Sequence, residues 1–444
     1  MYGNMMEHRE ILQPITLGCS KNTVDTEHVL ARCAQRYEIV PEDYAGRVDC
    51  VLLNTCGFIG DAKQESVEAI FSVIARKNAG LVGKVIVFGC LSQRYMEQIR
   101  DMVPEVDEWY GARDLEPVLK ALGVENVRPS GSGRVRRDST LPYAYLKISE
   151  GCDRRCSYCA IPFIRGRHRS VPMEEIVQEA GALAAEGVRE LILIAQDTTY
   201  YGLDLYHRRA LGELLGKLSE IDGIEWIRIH YSYPDSFPED VLDQMASNPK
   251  VCRYLDIPLQ HVADNVLSNM HRNVDGAWTR ELIAKMRAKV PGIVLRTTVI
   301  VGHPGEGRKE FEELLDFVRE ARFERLGAFR YSEEEGTYAA ENFRDSVTKK
   351  TKDRRYDKLM TLQRGISFAY NQSRVGSEIR VLVDSFSGEY LVCRSEFESP
   401  EVDGEILVRY DEAMGVPVES MPGRFINVRI TAADDYDLAA EFVN

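Results

Sequence analysis

Residues 151–159 read GlyCysAspArgArgCysSerTyrCys, which sets Cys152, Cys156 and Cys159 apart by three residues and then by two, directly after an apolar run at 143–148. Three thiolates this close must share one tight loop at the end of a strand. Such a loop suits an iron–sulfur cluster. A cubane has four irons, so three cysteines leave one iron without a protein ligand, an arrangement for chemistry rather than electron storage alone. The plainer alternatives are a structural zinc loop or reduced cysteines packed as small apolar residues. Zinc usually takes a fourth ligand and more often uses paired short spacings.

The flanking sequence supplies the scaffold. From about Leu141, six strand-like runs alternate with helical patterns, at 143–148, 190–195, 226–229, 254–258, 293–301 and 326–331. That order indicates a (β/α)6 barrel of the TIM-like kind, and six strands favour a partial one. Pro172 ahead of Glu174 and Glu175 marks a helix start, and Gly187 marks its stop. The first 125 residues also alternate strand and helix, as a parallel α/β sheet does. Their apolar runs, at 11–17, 50–54 and 84–88, are each followed within two residues by a cysteine: Cys19, Cys56 and Cys90. Strand-to-helix turns of a parallel sheet all lie at its carboxyl edge, so these three are expected to converge.

Residues 129–140, rich in Gly, Ser and Arg, read as a linker, and the charged stretch within 346–370 as a connecting helix. Beyond it, short β-like runs separated by Gly, Pro and Asp indicate a small all-β barrel. The expected domains are therefore 1–128, 141–345 and 371–444.

Composition narrows the class. The chain has 56 Lys and Arg against 70 Asp and Glu, which excludes nucleic-acid binding through gross positive charge. The first ten residues lack the apolar core of a signal peptide, and no stretch is long and apolar enough for a membrane helix, so a soluble, cytoplasmic protein without membrane contact is expected. Ten cysteines in that compartment do not form a disulfide framework. Cys33, Cys50, Cys252 and Cys393 fall in or beside apolar runs and read as core residues.

The triplet of cysteines, with Tyr158 just before the last and a strand just before the first, resembles the radical S-adenosylmethionine (SAM) enzymes. That resemblance implies a 4Fe-4S cluster on Cys152, Cys156 and Cys159 whose open iron chelates SAM and whose electron cleaves it to a 5′-deoxyadenosyl radical. It also implies SAM contacts from Tyr158 and Gln196. The segments ThrLeuGlyCysSerLysAsn (16–22), AsnThrCysGlyPhe (54–58) and ValPheGlyCysLeuSerGlnArg (87–94) are similar to the N-terminal domain of the methylthiotransferases. In that family the three cysteines, here Cys19, Cys56 and Cys90, bind a second 4Fe-4S cluster that holds sulfide or methylsulfide. One SAM methylates that sulfur, and a second generates the radical that takes hydrogen from the substrate.

Methylthiotransferases modify either tRNA adenosines or an aspartate of small-subunit ribosomal protein S12. The segments 159–170, 227–234, 254–264 and 295–306 resemble the ribosomal-protein branch, and the likeness spans essentially the whole chain; it departs at His303, where the family has Phe. The branch implies methylthiolation of the aspartate β-carbon, with an external electron donor and a sulfur donor as further partners. By position the C-terminal module resembles the TRAM domain, which binds RNA in tRNA-modifying relatives. Here, however, residues 371–444 hold six Arg and no Lys against 15 Asp and Glu, a net charge of −9 of the chain's −14. Such a module repels phosphate, which disfavours direct nucleic-acid binding, and attracts a basic ribosomal protein. The competing readings are a tRNA adenosine methylthiotransferase and a non-catalytic iron–sulfur binding or redox-sensing protein. His230, His261 and His303 lie near barrel strand ends, and Arg165, Arg167 and Arg169 form a basic stretch; substrate contact and ordinary solvation both suit them.

Overall fold

The computed structural model describes residues 9–129, 131–411 and 415–443; the N-terminal stretch read for a signal peptide lies, but for its last two residues, outside them, as does Ser130 of the linker. Contacts divide the chain into two compact units. One holds the residues up to Asp138 with 150–153 and 160–168; the other holds 139–149, 154–159 and 169–444.

In the first unit, β1 (Glu10–Thr16), β2 (Tyr37–Ile39), β3 (Val48–Thr55), β4 (Val82–Gly89) and β5 (Glu108–Trp109) form a parallel sheet in the order β2-β1-β3-β4-β5. The apolar run of β3 makes it central and buried along nearly its whole length, as a strand with helices on both faces requires. Helices α1 (Ser20–Cys33), α2 (Gly60–Asn78) and α3 (Cys90–Ile99) follow β1, β3 and β4. The short β2 and β5 carry too little apolar pattern to stand out in the sequence.

The second unit begins with β6 (Tyr143–Lys147), and the short β7 (Ser149–Glu150) and β8 (Arg169–Ser170) follow it in the chain. Next come β9 (Glu190–Ile194), β10 (Trp226–Ile229), β11 (Val251–Asp256), β12 (Val294–Val301) and β13 (Arg325–Arg330). The six longer strands make an open sheet in the order β13-β12-β11-β10-β9-β6, parallel at each junction: the partial barrel that six strands favour. The helix Met173–Ala185 starts after Pro172 with two glutamates in its first turn and stops before Gly187, whose φ of +94° ends it.

A helix at Lys349–Ser373, as long as the expected connector at 346–370 but shifted three residues along the chain, leads to the C-terminal module. There β14 (Glu378–Ser387), β15 (Tyr390–Arg394), β16 (Ile406–Arg409), β17 (Phe425–Ala433) and β18 (Leu438–Phe442) close into a barrel in the order β14-β15-β16-β18-β17.

The half barrel is finished by this module. Ala144, Leu146, Leu191, Leu193, Ile227 and Ile229 join the helix-packed core. The alternate residues Tyr143, Tyr145, Glu190 and Arg228 face the opposite side, where they meet residues 394–403, the end of β15 and the connection towards β16. Arg228 Nε donates to Glu190 at 2.6 Å, and Arg394 reaches the other Glu190 oxygen at 2.7 Å and Asp384 at 2.8 Å. Tyr145 and Tyr143 donate to Glu401 at 2.9 and 3.2 Å, and Tyr254 donates to Asp403 at 2.7 Å. Glu398 takes Arg325 at 3.1 Å and also pairs with Arg374.

Burial opposes the charge of Glu398, yet Arg374 and Arg325 outweigh it and hold the carboxyl down to about 2. A depressed carboxyl stabilises the fold fully above its ordinary value of 4.5 and loses that contribution as pH falls towards 2. Glu398→Gln should therefore cost about 3 kcal/mol at pH 7, and the gap from wild type should close as pH approaches 2, measured by urea unfolding across pH.

Candidate functional site

Sheet order brings the first three cysteines together. Strands β1, β3 and β4 are direct neighbours. Cys19 caps the start of α1, Cys56 follows the last residue of β3, and Cys90 opens α3. A glycine beside each cysteine permits close approach. A Cβ on Gly18, which has a φ of +94°, would lie 2.7 Å from Cys56 Cβ; one on Gly57 would lie 2.7 Å from Leu91 N; one on Gly89, with a φ of +110°, would lie 2.6 Å from the Thr55 carbonyl. Ser66 accepts from the Cys56 amide at 2.9 Å and donates to its carbonyl at 2.8 Å. Asn22 donates to the Leu17 and Thr55 carbonyls at 2.8 and 3.3 Å, and its Oδ1 stands 3.8 Å from Cys90 Sγ.

Burial pushes the Cys90 thiol up to about 11 against the pull of Arg165, and the charges of Cys19 and Cys56 push the same way. The three thiols thus share one electrostatic neighbourhood. Arg165 is buried there, within 2.6 Å of Asp25 and 3.1 Å of Glu150, and it donates to Asn22 Oδ1. It is not a solvated basic residue. Arg167, 91% exposed along its side chain, and the exposed Arg169 are of that kind.

The second set lies on the loop after β6. The Cys152 amide donates to the Gly166 carbonyl at 3.1 Å, and the Cys159 amide to the Cys156 carbonyl at 3.1 Å. Ser157 fixes the loop from both ends: its amide donates to the Met270 carbonyl at 3.0 Å, and its carbonyl accepts from Ala339 at 2.8 Å. Cys156 Sγ stands 3.9 Å from the Tyr233 hydroxyl and 3.8 Å from Arg272 Nη1. Arg154 and Arg272 both lie against the Tyr233 ring, at 3.9 and 4.1 Å from its centre. Arg154 is held by Asp197 at 2.9 Å and Asp235 at 3.0 Å. Burial and the neighbouring Cys156 raise the Tyr158 hydroxyl, which keeps it protonated, and the ring meets His303 edge-on at 6.2 Å. Gln196 lies two residues beyond β9, partly exposed, next to the Asp197 that holds Arg154.

Among the described residues, no three His, Cys, Asp or Glu side chains stand as a single metal ion would gather them. A cubane attaches each thiolate to a different iron and so spaces them more widely. The donor sets fit that larger group: three thiols at adjacent strand ends in the first set, and three on one loop in the second, where Cys156 stands beside a buried cation.

The histidines have structural partners. His230 shares a 2.8 Å hydrogen bond with Ser399, His261 lies 3.4 Å from Glu306, and burial lowers His303 to about 4, leaving it neutral at pH 7. Cys33, Cys50, Cys252 and Cys393 sit in apolar clusters, as their sequence pattern indicates. Sequence reasoning missed Arg272, Arg154, Tyr233 and Asn22. Each acts through a fold-dependent contact, and no local spacing announces it.

Three family models match the chain: Uncharacterized protein family UPF0004 over residues 12–111, the Radical SAM superfamily over 146–318, and the TRAM domain over 375–443. No helix among the described residues is long and apolar enough to cross a membrane. Among solved structures, the radical SAM methyltransferase TsrM from Kitasatospora setae, with cobalamin and a 4Fe-4S cluster bound, aligns with a TM-score of 0.56 at 13% identity, covering 75% of this chain and 74% of that one; the likeness is one of fold. The ribosomal protein uS12 methylthiotransferase RimO of Phocaeicola vulgatus is 47% identical over 98% of this chain and 100% of its own length. That of Porphyromonas gingivalis is 48% identical with the same coverage. With this identity over 98% of this chain and the whole of both relatives, the protein belongs to the RimO family of ribosomal protein methylthiotransferases.

Proposed function

We propose that the chain is a radical SAM enzyme that methylthiolates the β-carbon of an aspartate in ribosomal protein uS12. The observation that carries this reading is the double set of three cysteines, each at the carboxyl ends of parallel strands, in a chain that matches its relatives end to end. Cys152, Cys156 and Cys159 would hold one 4Fe-4S cluster, and Cys19, Cys56 and Cys90 the other. When bound, the first supplies the electron that cleaves SAM, and the second holds the sulfur to be transferred.

The chain's own residues hold this chemistry in place. Ser157 anchors the loop to Met270 and Ala339 through its amide and carbonyl. Tyr158, protonated and partly buried, would offer an aromatic wall to the adenine of SAM, and Gln196, just past the end of the neighbouring strand, would contact the same molecule. Asp197 and Asp235 fix Arg154 against Tyr233, which packs the side of the loop. In the first site, Ser66 and Asn22 hold the turn at Cys56 while the flanking glycines let the three cysteine turns approach closely.

The domains that divide this work are 1–128, the radical SAM domain 141–345, and the module 371–444, with 129–140 and 346–370 as connectors. The acidic module steers a basic protein substrate towards the enzyme and repels RNA phosphates. An electron donor and a sulfur donor complete the set of partners, and the reaction takes place in the cytoplasm.

Anaerobic incubation of reconstituted enzyme with uS12, SAM and dithionite should yield a methylthiolated aspartate peptide by mass spectrometry. An unmodified peptide beside methylthiolated tRNA would assign the enzyme to the tRNA branch. Cys156→Ala should abolish 5′-deoxyadenosine formation, measured by chromatography; persistence of that product would remove Cys156 from the site. Cys56→Ala should lose roughly half the bound iron and all methylthio transfer while still forming 5′-deoxyadenosine, and unchanged iron content would refute the second cluster.

A further inference from the structure

We infer that Arg272 is the built-in counter-charge of the cluster held by Cys152, Cys156 and Cys159 and that it sets that cluster's reduction potential; the inference rests on the assignment of a cluster to these cysteines. The reason lies in how the chain treats buried arginines. Eight arginines are buried among the described residues, and seven have a carboxylate within ion-pair distance. Arg165 has Asp25 and Glu150, and Arg394 has Glu190 and Asp384. Arg272, 7% exposed, has none among the described residues.

Its contacts are the Pro258 carbonyl at 2.6 Å from Nη2, the Tyr233 ring, and Cys156 Sγ at 3.8 Å from Nη1, while Nε has no hydrogen-bond partner. A buried charge needs an opposite charge, and a neutral carbonyl with an aromatic face shared with Arg154 is poor compensation. The missing anion is Cys156 as a thiolate within a cluster. A 4Fe-4S core on three thiolates is negative and gains a further negative charge when it accepts one electron from an external donor. A fixed cation on one of those thiolates favours the reduced form and raises the potential. Pro258 takes one nitrogen of the guanidinium and Tyr233 covers its face, so the cation is already oriented towards Cys156 before the electron arrives.

The test is a redox titration of the anaerobically reconstituted full-length protein without SAM, followed by EPR on the cluster whose signal responds when SAM is added to a parallel sample. At the wild-type midpoint, Arg272→Gln should show the ratio of reduced to oxidised cluster lowered about tenfold, equal to 59 mV for a one-electron couple. Arg272→Lys, which keeps the charge, should recover most of this. A cluster-loaded Arg272→Gln within twofold of the wild-type ratio, or an Arg272→Lys no better than Arg272→Gln, would overturn the inference. If Arg272→Gln takes up no iron at this site, Arg272→Lys decides: uptake at a near-wild-type potential supports the counter-charge role, and failed uptake refutes it. A wild-type protein with no SAM-responsive cluster would overturn the cluster assignment itself, and the inference with it.

Discussion

Parallel strand pairing is the constraint on which the rest of the molecule depends. It sends every strand-to-helix turn to the same edge, so a cysteine placed just past β1, β3 and β4 has no alternative but to meet its counterparts at adjacent strand ends. The same rule places the loop of Cys152, Cys156 and Cys159 at the carboxyl end of β6, in a sheet where Gln196 follows β9 and Tyr233 follows β10. Glycine then decides how near the chains come: at Gly18, Gly57 and Gly89 a side chain would collide with a neighbouring cysteine turn. A thiol site of this kind is thus made by backbone geometry first and by side chains second.

A sheet open on one side exposes a face that water would otherwise fill. Here the face is polar, with Glu190, Arg228, Tyr145 and Tyr254, and Arg394 at the end of β15 covers it together with carboxylates of the connection that follows. Charges buried in this way are tolerated because each meets its opposite at hydrogen-bond distance. The consequence is that the C-terminal barrel is tied to the half barrel by directional contacts as well as by the packing of Trp226 on Phe425. Glu401, bound by two tyrosines, takes a φ of +68°, a strained conformation that those contacts maintain.

Much of the architecture was legible because it rests on periodicity. Runs such as 226–229 and 293–301 match β10 and β12 almost residue for residue, and Gly187 ends its helix where the pattern indicates. The elements that escaped, β2 and β5, are two or three residues long and take their register from β1 and β4 rather than from their own sequence. Arg165 shows the same limit among side chains. In sequence it belongs to a run of basic residues with Arg167 and Arg169, yet it alone is buried, beside Asn22 and Cys90.

What the sequence by itself determined is the inventory and its grouping. Six cysteines stand in two spacings, strands alternate with helices, and nine of fourteen net negative charges lie in the last 74 residues. Spacing along the chain carries that information because ligands on one loop, or at equivalent turns of one sheet, are close in any parallel α/β fold. Tertiary structure alone decided which charged residues surround those cysteines. Arg272 lies more than a hundred residues from Cys156 and more than thirty from Tyr233, and only the packing of the loop against residues 258–272 brings them together. Contacts between residues so far apart in sequence leave no period or motif, since their spacing is set by the fold that joins them.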